Sequence, residues 1–268
     1  REGFGKSIVV GRESVVKAKL EQVGLGDAIG EIEIANAATT PHLDTYKEYL
    51  YNRLKRKGFD QTDVLRLTGR DRHVFGSLML AHGHGDGLVT GVTRKSAHVL
   101  DLINHVYDVG PHDGAVGVTA VLSKGKIILI ADTLVHEWPN EHDLADIAER
   151  GAGVARALGL EPRVAFVSFS TFGYPISERA EKMRIAPEVL EQRGVDFEFE
   201  GEMAVDVALN IEEMKKYPFS RLSGPANVLV VPARHSASIS VKLLQEMGGA
   251  TVIGPILTGI DKPIQICS

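Results

Sequence analysis

The sequence predicts an α/β fold with mostly parallel, partly mixed strands, and three observations carry that. Short apolar runs alternate along the chain with stretches of helical period, the pattern of repeated strand–helix units. Several runs, Val228-Leu229-Val230-Val231 among them, are apolar at every position, as strands buried on both faces of a parallel sheet are. One pair of runs, 115–122 and 126–132, is joined only by Ser123-Lys124-Gly125, which reads as a hairpin and makes that part of the sheet antiparallel.

In chain order, Ser7-Ile8-Val9-Val10 opens as a strand, 13–23 follows as a helix and 31–34 as a second strand. Helices are expected at 43–57, 62–67 and 72–81. The first of these ends in Arg53, Lys55, Arg56 and Lys57, cations that suit the negative end of a helix dipole. A strand at 88–92 and a helix at 96–107 come next, then the hairpin. Asn140 caps a helix over 141–158, and Gly159 ends it. A strand at 163–169, a helix at 178–193 and a weak strand at 197–200 follow. The strand 227–231 stops at Pro232, a helix covers 237–247, and a last strand, 250–256, has Gly254-Pro255 reshaping the backbone at its end. Gly110-Pro111-His112-Asp113-Gly114 is the clearest break in composition and reads as a domain boundary.

The 268 residues carry a formal charge of -5 with pI near 6.1, which argues against a nucleic-acid partner, since phosphate-backbone binders show a basic surplus. Cys267 is the only cysteine, so no disulfide forms within the chain and a reducing, cytoplasmic location is expected. No apolar run approaches the ~20 residues of a membrane span, and residues 1–6, leading straight into Ser7, read as no signal peptide, so none is expected. The first residue is Arg1 rather than methionine, and the sequence reads as a piece of something longer.

Ligands of open parallel sheets bind at the carboxyl ends of the strands. Ser168-Phe169-Ser170-Thr171-Phe172-Gly173 stands at such an end, and its hydroxyls and amides could cradle a phosphate or carbonyl oxygen; an ordinary polar loop is the plainer alternative. Glu202 and Asp206 are four apart and would share a helix face. As a pair they suit acid/base work, and as single charges they suit a helix N-terminus nearly as well. Arg94 and Lys95 follow the strand 88–92 and are well-placed cations, while Thr258 lies on the rim beyond Gly254-Pro255. His82-Gly83-His84 matches no zinc spacing and reads as a Gly-rich turn. His136, Glu137 and His142, with Pro139 between them, do not share a helix as a His-Glu-x-x-His site does. No metal site is expected. No Walker loop, serine-hydrolase elbow or dinucleotide fingerprint is present.

Taken in order, several blocks resemble the phosphate acetyltransferase family: Asp86-Gly87-Leu88-Val89-Thr90-Gly91, Ala131-Asp132-Thr133, 162–171, Gly201-Glu202 with Asp206, Gly224 with Ala226-Asn227-Val228, and Ile253-Gly254-Pro255-Ile256 with Lys262-Pro263. They span almost the whole chain. Val135-His136-Glu137-Trp138-Pro139 and 184–210 further resemble the phosphotransacetylase-like C-terminal domain of bacterial NADP-dependent malic enzymes.

The resemblance implies two α/β/α subdomains of the isocitrate/isopropylmalate dehydrogenase-like kind with a cleft between them, one comprising 1–110 plus 256–268 and the other 111–255. The first would lack the family's first strand and helix and its last helices. The implied ligand is acetyl-CoA or CoA, not tightly bound, in a cleft including Arg94, Ser170, Thr171, Gly173, Arg184, Glu202, Asp206 and Thr258. Ser268 takes the family's catalytic serine position. Where catalytic members carry arginines this chain has Leu54, Asp101 and Glu246, and the last two repel an acyl phosphate. The expected role is therefore a regulatory, allosteric and oligomer-forming domain with acetyl transfer lost. NADP and a divalent metal would belong to the malic-enzyme catalytic domain of the same polypeptide. An active acetyltransferase using Arg53, Arg94 or Arg184, and a pure oligomerisation module, are the competing readings. No membrane partner is implied.

Overall fold

The computed structural model describes residues 5–110 and 113–267, with Arg179 described in its backbone only. The chain forms two compact units, Arg1–Asp108 with Asp261–Ile264, and Val109–Ile260 with Gln265–Ser268. The expected boundary loop 110–114 includes Pro111 and His112, which lie outside the described residues. Residues 256–260 belong to the second unit, where the sequence reading divided the chain at 255.

The first unit comprises β1 (Ile8–Val10), α1 (Glu13–Gln22), β2 (Glu33–Ala35), α2 (Leu43–Leu54), α3 (Gln61–Arg70), α4 (Arg72–Ala81), β3 (Leu88–Gly91) and α5 (Ser96–Ile103). β1 and β2 pair in parallel, Ile8 opposite Glu33. α2 buries Tyr46, Leu50 and Leu54, one residue per turn on a single face. It ends at Leu54 rather than 57, passing through a 3₁₀ turn to Gly58 in the left-handed region, a usual helix stop. Asp60 and Asp63 close a capping box on α3, and the Asp71 side chain accepts from His73 N and Val74 N to start α4. The α2 face packs with Val64, Val74, Phe75 and Leu78 into this unit's core.

The second unit contains β4 (Val116–Ser123), β5 (Lys126–Ala131), α6 (Glu141–Ala157), β6 (Arg163–Val167), α7 (Glu178–Arg193), β7 (Glu198–Met203), α8 (Val205–Leu209), α9 (Ile211–Met214), β8 (Val228–Val230), α10 (Arg234–Gly248) and β9 (Thr251–Thr258); β10 (Ile264–Cys267) closes the chain. Six strands form one sheet in the order β7-β6-β8-β5-β4-β9. From β7 to β5 the neighbours are parallel. β4 is antiparallel to both β5 and β9. Alternate residues of β6 serve opposite faces, as the pleat requires: Val164 and Phe166 enter a core with α6 and α7, while Ala165 and Val167 join α8, α9 and Ala237 of α10 on the other side. A fully buried Phe166 contributes roughly 2–3 kcal/mol by its apolar area alone.

Gly254-Pro255 does not end a strand. β9 runs through it to Thr258, and the β4–β9 register shifts there, between Val118 and Ala120. Gly254 has φ 135°, and a Cβ on it would meet Val118 O at 3.0 Å. The pair is therefore a bulge on an edge strand, where a proline is tolerated. β9 is antiparallel to its neighbour, so the rule for ligands at parallel strand ends does not reach it. Just beyond, a Cβ on Gly259 would lie 1.9 Å from Gly114 O, so only a glycine lets the two backbones approach this closely.

Candidate functional site

β6 and β7 run side by side in parallel, and the loops leaving their carboxyl ends meet. At the end of β7, Gly201 has φ 151°, and a Cβ there would stand 2.8 Å from Phe166 Cβ and O. Glu202 follows with its side chain turned inward, 1 % exposed. Its Oε1 accepts from Ser170 Oγ at 2.9 Å and from Gly173 N at 2.8 Å. Its carbonyl accepts from Phe172 N at 2.8 Å. Thr171 N donates to Tyr174 O, and Thr171 Oγ1 accepts from Ala204 N at 3.1 Å. The donors that the sequence placed around a ligand thus brace the two loops against each other. Glu202 Oε2 is buried with no hydrogen-bond partner, an acceptor held in reserve. Outward, the loop presents Phe169, Tyr174 and Ile176, and Phe172 packs edge-on against Phe219 with centroids 4.8 Å apart.

The structure brings Ser170, Thr171, Gly173 and Glu202 together. Asp206 is not a helical partner of Glu202. Glu202 lies within the extended β7, skipped where the β6–β7 register shifts between Gly201 and Met203, and α8 begins only at Val205. Asp206 is exposed there, and its carboxylate accepts from Val207 N. Arg184 lies on α7, donating to both oxygens of Glu181 and to Glu188 at 3.4 Å. The Glu181 hydrogen bond first, then the charges of Glu181, Glu188 and Glu202, push its pKa up against a desolvation that opposes them. Arg94 belongs to the first unit, paired with Asp71 at 3.1 Å and beside His98. Arg53 pairs with Asp108 at 2.8 Å. Thr258 closes β9 opposite Val116, half-buried. Leu54 sits in the first unit's core at 2 % exposure. Asp101 and Glu246 are exposed on α5 and α10. Ser268 lies outside the described residues.

Among the described residues no group of three or more His, Cys, Asp and Glu could hold a metal ion. His84 Nδ1 instead meets Tyr46 Oη at 2.5 Å, and its ring stacks on His42. Both rings line a cavity of about 1200 Å³ within the first unit. No helix among the described residues is long and apolar enough to cross a membrane.

Two buried polar centres escaped the sequence reading as structural devices. Asp132, at the end of β5, accepts from Gly117 N, Leu134 N, Val135 N, His136 N and His136 Nδ1. An ionised carboxylate only accepts, so His136 Nδ1 carries its proton toward Asp132. Glu200 of β7 holds Arg221 through two guanidinium bonds, at 3.2 and 3.0 Å, and the Arg221 backbone N–H. Ala-Asp-Thr at a strand end, followed by His136, was a signal for the first. Nothing local announced the second.

Comparison with known proteins places this architecture. The family model described as phosphate acetyl/butaryl transferase matches residues 1–268. The chain is 49% identical over 265 residues to an NADP-dependent malic enzyme of Rhizobium meliloti, covering 99% of this chain and 35% of that protein. It is 31% identical to a phosphate acetyltransferase of Thermoanaerobacterium thermosaccharolyticum, covering 98% and 82%. The crystal structure of a phosphotransacetylase from Streptococcus pyogenes superposes with a TM-score of 0.89 at 27% identity, over 100% of this chain and 81% of that one. The chain spans about a third of the length of the malic enzymes it matches. By sequence match and fold together, it belongs to the phosphate acetyl/butaryl transferase family.

Proposed function

We propose that this chain is the phosphotransacetylase-like domain of a cytoplasmic NADP-dependent malic enzyme, that it binds acetyl-CoA or CoA as a regulatory ligand and helps build the oligomer, and that it has lost acetyl transfer. Moving an acetyl group from CoA to phosphate needs cations for the phosphate, a base for the thiol proton and a donor for the developing oxyanion. The observation that carries the loss is the state of the arginines. The positions that the sequence resemblance aligns with family arginines are Leu54, which lies in a core, and the exposed carboxylates Asp101 and Glu246. The replacements Arg53, Arg94 and Arg184 are each already tied to a carboxylate. A phosphate would have to compete with those partners and approach two added negative charges.

Ligand binding is supported by the buried Glu202 Oε2, which has no hydrogen-bond partner beside the Ser170–Glu202 brace. A buried acceptor fits an N–H such as the amides and adenine amine of coenzyme A carry. When bound, the acyl-CoA would supply the signal and no chemistry here. It can act on malate oxidation only by binding two states of the whole enzyme unequally. NADP and the divalent metal belong to the malic-enzyme catalytic domain in this reading.

The test is calorimetric titration of acetyl-CoA into the full-length protein, with NADPH formation from malate and acetyl phosphate formation followed in parallel. Binding with a changed malic rate and no acetyl phosphate is expected. Acetyl phosphate at substantial turnover would overturn the loss of transfer. Absence of binding at millimolar ligand would overturn the regulatory role.

A further inference from the structure

Ile8-Val9-Val10 is apolar at every position, the composition of a strand buried on both faces, yet all three residues are only partly buried. Among the described residues β1 pairs with β2 alone, and a two-stranded sheet is marginal by itself. Glu33 N donates to Ser7 O and Gly11 N to Ala35 O. Successive residues of a strand turn their backbone groups to opposite sides, so 7, 9 and 11 serve β2 while Ile8 and Val10 face away from it. β3 is built likewise. Leu88 N donates to Pro263 O, which leaves Gly87 and Val89 facing away from the 261–264 segment. Ile8, Val10, Gly87 and Val89 all line the cavity of about 1200 Å³ in the first unit. α4 forms a third wall. A Cβ on Gly76 would meet Leu88 Cδ1 at 3.0 Å and Val10 Cγ2 at 3.9 Å, so β1 and β3 lean over the same turn of this helix. Phe75, Met79 and Leu80 extend that wall as an apolar one.

We propose that this cavity seats a β-strand, inserted between β1 and β3 and supplied by the part of the same polypeptide that lies outside residues 1–268. Both side walls offer backbone donors and acceptors at two-residue spacing, and the α4 wall receives every second side chain, the arrangement that binds a main chain by strand addition. The volume exceeds the ~300–1,000 Å³ of small-molecule pockets. β1 has three residues and β3 four, so a segment of four or five residues, ~13–17 Å long, matches both edges. Chain for the purpose exists in the relatives. The Streptococcus phosphotransacetylase superposes on all of this chain and leaves about a fifth of its own length unmatched, and the Rhizobium malic enzyme leaves about two thirds. Insertion joins the β1–β2 pair to β3 and covers two open edges that would otherwise recruit foreign strands. The inference rests on the chain being part of a longer polypeptide, as the function proposed above has it, and not on the ligand.

The experiment uses the full-length protein with the photo-crosslinker benzoylphenylalanine in place of Val89, whose side chain is 76 % exposed and would stand beside a neighbour on the same face of the inserted strand. Irradiation is expected to give an adduct at the mass of one chain on a denaturing gel, and peptide mass spectrometry to place its other end outside residues 1–268. An adduct at twice that mass would mean a strand from another copy and would overturn the same-chain occupant. Adducts confined to residues 1–268 would overturn the strand itself. Hydrogen–deuterium exchange of the unsubstituted protein checks the result without a variant. The Ile8, Val10 and Val89 amides are expected to exchange at least ~100-fold more slowly than those of an unstructured peptide, and exchange at the rate of an exposed loop would overturn the insertion. Acetyl-CoA titration of the same protein scores the ligand reading separately.

Discussion

Replacing Asp132 by alanine tests how the second unit anchors the chain beyond β5. The carboxylate is 2 % exposed. It accepts from Gly117 N at 2.9 Å, Leu134 N at 2.7 Å, His136 N at 2.8 Å and His136 Nδ1 at 2.6 Å, with Val135 N bridging both oxygens at 3.1 Å. Alanine leaves four backbone N–H groups and an imidazole N–H facing an apolar methyl. Each stranded donor costs about 1–3 kcal/mol. Some relief comes from water entering the vacated space and from movement of 133–136, so a loss of about 5 kcal/mol is expected rather than the full sum. Asparagine keeps the acceptor facing Gly117, Leu134 and Val135 but turns an amide donor toward His136, and is expected to cost about 3 kcal/mol. Urea unfolding followed by tryptophan fluorescence reads this directly, because Trp138, two residues past His136, is the only tryptophan. A fall in midpoint at unchanged slope reports stability. An alanine variant within about 1 kcal/mol of the parent would refute the clamp.

Glu200→Ala should destabilise by about 3–5 kcal/mol, because it removes the buried acceptor of the Arg221 side chain and backbone; Arg221→Ala, whose guanidinium is partly solvated, should cost less in the same urea titration. Gly259→Ala should lower the melting temperature by several degrees, since its Cβ would sit on Gly114 O and about 2 kcal/mol or more of strain must be relieved by backbone movement. Burial holds the His73 pKa below its ordinary value; the charges of Arg94, Arg72 and His98 add to this and Asp71 opposes it. The unfolded chain then takes up the proton first, so stability is intact above about pH 6.5 and falls as pH drops from there toward the folded pKa. His73→Asn should show a shallower fall between pH 7 and 5 in denaturant titrations, and an unchanged slope would count against the assignment.

Much of this architecture was legible because the apolar runs are the strands. Val228–Val230 and Val116–Ser123 are buried at almost every position, and the three-residue link Ser123-Lys124-Gly125 did form a hairpin. What the sequence could not express was neighbourhood. β8 inserts between β6 and β5, and nothing in a local run says which strands will flank it. The pairing of Glu202 with Asp206 failed for a related reason. Spacing of four means a shared face only on a helix, and 202 lies in the extended β7, at the register shift of its pairing with β6. The short α8 and α9 carry too few residues to show a period, and β10 is four residues long. The hydroxyls of Ser170 and Thr171 were read as a ligand cradle, and in the fold their hydrogen-bond partners include Glu202 and Ala204. Polarity at a strand end marks a meeting of loops before it marks a ligand.

The antiparallel side of the six-stranded sheet has a consequence for synthesis. β4 forms one partnership almost at once, with β5 across a tight turn, and its other only with Thr251–Thr258 at the far end of the unit. During translation at ~5–20 residues per second, the interval between the two is on the order of ten seconds. Through that interval β4 presents an open, apolar edge of the kind that recruits foreign strands. A product terminated within α10 would never lose that edge. The nascent second unit therefore depends on protection of this edge from completion of β5 until β9 is made, and ribosome pausing before residue 251 would lengthen the exposure.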